Sequence, residues 1–143
     1  KIAILGFAFK ANTNDTRESA AIQICKNLIE EGAFLHIHDP KVESKQIEKD
    51  LNLEPIFNKD KKDIDNSDSG IWIKVNKLED VFIEMDAVLI LTEWQDYSKI
   101  DWQLASEKMR SPAWVFDCRS VIEQKDVIEA GLNFWQIGDG SRN

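Results

Sequence analysis

Six short apolar runs, each closed by a turn signal and most separated by a stretch of helical periodicity, set the tightest limit on what this chain can become. The runs are KIAIL at 1–5, AFLHIH at 33–38, IWIKV at 71–75, AVLIL at 87–91, AWVF at 113–116 and NFWQI at 133–137. Apolar segments this short, bounded by Gly, Asp or Pro, read as strands. The run at 71–75 is also compatible with the approach to a helix. A first helix is expected to start at Asp15, with Glu18 completing a capping box, and to carry Ile22, Cys25, Leu28 and Ile29 on its apolar face up to Gly32. Further helices are expected at 43–50, at 77–85 with Leu78, Val81, Phe82 and Met85 on one face, at 101–109 with Trp102 and Leu104 inward, and at 121–130. Strands alternating with helices imply an α/β, Rossmann-like fold: a doubly wound, mostly parallel sheet of five or six strands with helices on both faces. AVLIL, the most apolar run, belongs at its centre.

At 143 residues the chain is expected to form one domain, 1–137, followed by a polar tail, 138–143. Residues 54–70, EPIFNKDKKDIDNSDSG, lack periodicity and read as a mobile surface insertion. The formal charge of −8 argues against a surface that holds nucleic-acid phosphates nonspecifically, so any anion site must be local. Cys25 and Cys118 are too far apart in sequence for metal spacing and too few for a disulfide framework, which fits a reducing cytoplasm. No uninterrupted apolar stretch approaches membrane-spanning length, and neither a membrane nor a nucleic acid is expected as a partner. The first residue already lies in a strand signal, with no initiator Met, as in a piece of something longer.

The richest stretch is the first nineteen residues, KIAILGFAFKANTNDTRES. A strand, an irregular loop and a helix start aim backbone N–H groups and a positive dipole end over the carboxyl edge of a sheet, where anions bind. Lys10 and Arg17 add charge there. The plainer alternative is a solvated Lys10 and an Arg17 paired with a nearby carboxylate. Asp39, at the end of the second strand, stands where dinucleotide folds hold a ribose hydroxyl. Against that, the first turn reads Gly6-Phe7-Ala8-Phe9-Lys10 and lacks the second and third glycines that let a backbone approach a pyrophosphate. His36 and His38 share a strand face without a third metal ligand in view, so packing is the expectation. Thr92, Glu93 and Trp94 leave the central strand at its carboxyl end, with Trp94 expected to pack. Arg119 leaves the next strand at the same edge, either as a third cation for a ligand or in a salt bridge with Asp117 or Glu93.

Taken together, GFAFKANTNDTRES, HDPKV, LTEWQDY and VFDCRS closely resemble the C-terminal domain of the UDP-glucose/GDP-mannose dehydrogenase family. The resemblance runs from Lys1 to about Ile137. It implies an NAD-dependent enzyme that oxidises the primary alcohol of a nucleotide sugar to a carboxylate by two successive hydride transfers, with UDP-glucose as the favoured substrate. GDP-mannose and UDP-N-acetylated sugars are the alternatives. It also implies that NAD is held mainly by an N-terminal domain, that a central region supplies the catalytic Cys and Lys, and that the longer chain is a homo-oligomer. Carried over by motif, Phe9, Lys10 and Arg119 would contact the substrate and Arg17 would reach toward NAD. Neither Cys25 nor Cys118 matches the family's nucleophile, so no catalytic residue is expected here. A different class of function is a noncatalytic assembly module, in which Phe7, Trp94 and Trp102 would serve an interface.

Overall fold

The computed structural model describes residues 1–56 and 70–138. The elements, in order, are β1 (Ile2–Leu5), α1 (Ala20–Glu30), β2 (Phe34–His38), α2 (Ser44–Leu51), β3 (Ile71–Lys74), a 3₁₀ turn (Leu78–Asp80), β4 (Ala87–Ile90), a second 3₁₀ segment (Gln95–Lys99), α3 (Trp102–Lys108), β5 (Trp114–Asp117), α4 (Gln124–Glu129) and β6 (Asn133–Gln136). All six strands run parallel in the order β3-β2-β1-β4-β5-β6. The expected insertion lies mostly outside the described residues, as does the polar tail beyond Gly138.

This order follows from two runs of right-handed crossovers. From β1 the chain moves outward through β2 to β3, returns to β4 beside β1, and moves the other way through β5 to β6. A fixed crossover hand then puts α1 and α2 on one face and the later helices on the other. Consistently, α1 packs beside α2 and α3 beside α4. Ala3, Ile4, Leu5, Val88, Ile90 and Val115 are buried at the sheet centre, as expected of strands covered on both sides.

Several local expectations are corrected. Helix α1 begins five residues later than the capping-box signal, with Ser19 as N-cap accepting from Ala21 N–H, and Glu18 sits at φ 62°, outside any helix. Asp15 instead accepts the backbone N–H of Arg17, a local turn that competes with helix initiation. Residues 77–85 make one 3₁₀ turn rather than a helix, yet Val81, Phe82 and Met85 are still buried, because burial there needs a compact chain and not a helical one. In α3, Trp102 and Ala105 face inward, while Leu104 is exposed. Strand β5 is not buried throughout. The sheet face that α1 and α2 cover over β1–β3 is left open at β5–β6, where Trp114 (43% exposed) stacks on Phe116, and Trp135 (47% exposed) tilts against it.

Candidate functional site

Parallel strands bring all their carboxyl ends to one rim. The sheet order reverses between β1 and β4, the switch point outside whose strand ends open α/β sheets place their ligands. The loops after β1, β2, β4 and β5 meet there.

The loop after β1 is built from the inside out. Gly6 has φ +96°, and a Cβ on it would fall 2.3 Å from Thr92 Cβ, so only glycine lets β1 turn against the end of β4. Thr92 Oγ1 donates to the Ala8 carbonyl at 2.9 Å, and Ser19 Oγ donates to that of Phe7 at 2.8 Å. Phe7 and Ala8 are thereby buried. Phe9 N–H donates to the Asp15 carbonyl at 2.8 Å and closes the loop. Phe9, half exposed, and Lys10, exposed, are left projecting at the rim.

Asp39 overturns the ribose expectation. It is buried, and its Oδ2 accepts the N–H groups of Phe7 (2.8 Å) and Ala8 (3.0 Å) and the indole N–H of Trp94 (3.3 Å). Its Oδ1 accepts from Lys41 and Val42 N–H. No lone pair is left for a sugar hydroxyl. The amides of the first turn, which in a dinucleotide fold would meet a pyrophosphate, are already occupied by the protein's own carboxylate. Trp94 packs as expected, with its N–H as an added tether.

Arg119 is set by the loop after β5. Asp117, fully buried, accepts Arg119 N–H on Oδ1 and the N–H groups of Val121, Ile122 and Gln136 Nε2 on Oδ2. Ser120 then adopts φ 56°, a left-handed turn residue within the loop. Of the two carboxylates expected as its salt-bridge partner, Glu93 is the one that pairs: its Oε2 accepts from Arg119 Nη2. Its Oε1 accepts Ala11 N–H at 3.2 Å. One side chain thus joins the loop bearing Phe9 and Lys10 to Arg119. Burial pushes the Glu93 carboxyl up, but the N–H groups of Ala11 and of Glu93 itself, together with Arg119, outweigh it and the net direction is down.

Arg17 has the carboxylate partner that its plainer reading called for. Its Nε and Nη2 form a fork on Asp15, at 3.0 and 2.8 Å, in the open. The hydrogen bond from the Arg17 side chain, then that from its backbone, hold the Asp15 carboxyl at about 2, with Lys10 adding a smaller pull. Ala11, next to Lys10 in the loop after β1, is thus joined to Arg119 through Glu93, while Arg17 is engaged by Asp15 within its own loop. His36 and His38 both pack: His36 meets Phe34 edge-on, and His38 Nδ1 lies 3.0 Å from Tyr97 Oη. Burial pushes the Cys25 thiol up to about 12 and the Cys118 thiol up as well, so neither is a ready nucleophile.

A doubly wound parallel sheet whose loops after β1, β2, β4 and β5 are tied together at its switch point defines a Rossmann-like α/β domain. The chain belongs to the UDP-glucose/GDP-mannose dehydrogenase family, matching the model of its UDP binding domain over residues 3–124. It is 38% identical over 147 residues to UDP-glucose 6-dehydrogenase 3 of Arabidopsis thaliana and 39% over 142 residues to the UDP-glucose 6-dehydrogenase of Drosophila melanogaster, each match covering 96% of this chain. It spans only 29% and 28% of the length of those relatives. Among solved structures, the UDP-D-ManNAc dehydrogenase from Pyrococcus horikoshii shares the fold at a TM-score of 0.69 and 24% identity, covering 97% of this chain and 25% of that one. The UDP-glucose dehydrogenase from the hyperthermophilic archaeon Pyrobaculum islandicum does so at 0.61 and 24%, covering 93% and 24%.

Proposed function

We propose that this chain is the UDP-sugar-binding domain of a UDP-glucose 6-dehydrogenase, with Phe9, Lys10 and Arg119 contacting the substrate and Arg17 contacting NAD. The observation that carries the reading is the tie between Ala11 and Arg119 through Glu93, which holds the Phe9–Lys10 loop and the arginine at one rim. Backbone and ring at Phe9 suit a base or ribose. Lys10 offers a point charge to a diphosphate, and Arg119 offers a planar fork.

In the whole enzyme NAD accepts the hydrides that take UDP-glucose to UDP-glucuronate. This chain has no place for the cofactor's pyrophosphate at its first turn, where Asp39 already fills the amides. Arg17 fits a single contact, and the rest of the NAD site and the nucleophile belong to other domains of the same polypeptide, a homo-oligomeric enzyme of the cytoplasm. The assembly reading in its original form loses its support, since Phe7, Trp94 and Trp102 lie in the domain's own core.

Calorimetric titration of the chain with UDP and with GDP tests the reading. UDP should bind and GDP should not, and Lys10→Ala or Arg119→Ala should each weaken UDP by about tenfold, the loss of one charge-assisted contact. A chain that ignores UDP would overturn it, and one that prefers GDP would reassign the substrate to GDP-mannose.

A further inference from the structure

We propose that Glu93 is a positioning residue, coupling the Phe9–Lys10 loop to Arg119 and holding the Arg119 guanidinium with its Nε and Nη1 donors left for an anionic ligand. The proposal rests on the nucleotide reading above. Its starting point is a conflict of charge: a carboxylate on a rim meant for a diphosphate weakens the attraction that Lys10 and Arg119 provide. Its position must compensate by what it holds in place.

Three observations show how firmly it does so. Glu93 sits between two buried neighbours tied to different loops: Thr92 donates to the Ala8 carbonyl, and Trp94 donates to Asp39. Its backbone therefore has little freedom. The carboxylate then divides its oxygens, Oε1 to Ala11 N–H after β1 and Oε2 to Arg119 Nη2 after β5. Finally, Asp117 fixes the Arg119 backbone through its N–H, so the guanidinium is held from both ends. With Nη2 engaged by Glu93, the Nε and Nη1 donors of Arg119, which point to different sides of the guanidinium, have no partner among the described residues and are left for a ligand. An exposed ion pair of this kind adds little to stability, so its removal should disturb geometry more than folding.

The test has two arms. In the free chain, hydrogen exchange at the Ala11 amide should quicken at least several-fold in Arg119→Ala, because Glu93 loses the partner that holds it, while the Phe7 and Ala8 amides held by Asp39 stay protected. Unchanged exchange at Ala11 would overturn the coupling. In the second arm, Glu93→Gln keeps an acceptor for Ala11 but turns an NH₂ toward the guanidinium. It should weaken UDP binding by about tenfold while leaving the thermal midpoint within about 2 °C of the parent. Equal or tighter UDP binding would mean that Glu93 only repels the ligand, and would sink the proposal. Should the parent chain take no UDP at all, the reading under Proposed function fails, and the exchange arm alone decides the role of Glu93.

Discussion

Asp39 and Asp117 stand at the carboxyl ends of β2 and β5, one on either side of the β1–β4 pair, and each is buried with both oxygens occupied by N–H groups. Asp39 shapes the loop leading to Phe9 and Lys10, and Asp117 shapes the loop carrying Arg119. The two internal carboxylates thus place the cations that face outward. Asp39→Ala would leave four backbone N–H groups and the Trp94 indole without acceptors. It should cost about 3–5 kcal/mol, and Asp39→Asn, which retains one acceptor oxygen, about 2–3 kcal/mol. Urea unfolding at neutral pH measures both. Losses under 1 kcal/mol for the alanine variant would contradict this role.

The turn at Gly6 carries a second prediction. A methyl group there meets Thr92 at 2.3 Å on a backbone already at φ +96°. Gly6→Ala should destabilise the fold by about 3 kcal/mol or more, from the left-handed conformation and the clash together. Adding Thr92→Ala should recover only part of that loss, since the conformational cost remains. Full recovery in the double variant would show that crowding alone demands the glycine.

His38 gives the fold a dependence on mild acid. Burial pushes its imidazole below the ordinary 6.5, with Asp39 offsetting only part of the effect, and His36 shares the direction with burial again the first cause. The unfolded chain therefore takes up protons near pH 6.5 that the folded chain refuses until lower pH. Stability is full above the unfolded value and declines as pH falls through it, by up to about 1.4 kcal/mol per pH unit for each such group. His38→Gln should flatten the fall in the urea midpoint between pH 7 and 5, leaving the part due to His36. An undiminished slope would remove His38 from the account.

Thiol chemistry offers a fourth check. With Cys25 raised to about 12 and Cys118 raised by its partial burial and by Asp117, a neutral alkylating reagent at pH 8 should modify the folded chain slowly. Cys118, the less buried, should react first, and Cys25 at the rate of unfolding. Rapid labelling of Cys25 in the native chain would refute its placement in the core.

The sequence by itself determined the alternation of strands and helices, the parallel sheet, and the sheet edge that the loops after β1 and β5 leave. These follow from hydrophobic periodicity and turn residues, which act over a few neighbouring positions, and from the fixed hand of crossovers. Only the tertiary structure decided that α1 starts at Ala20 behind a Ser19 cap, that Ala105 rather than Leu104 faces inward, that Asp39 holds the first turn instead of a ribose, and that Glu93 rather than Asp117 takes the Arg119 guanidinium. Each of those outcomes is settled by a partner brought close by the fold or by competition between local and distant hydrogen bonds. Short-range patterning names the candidates, and closure of the sheet selects among them.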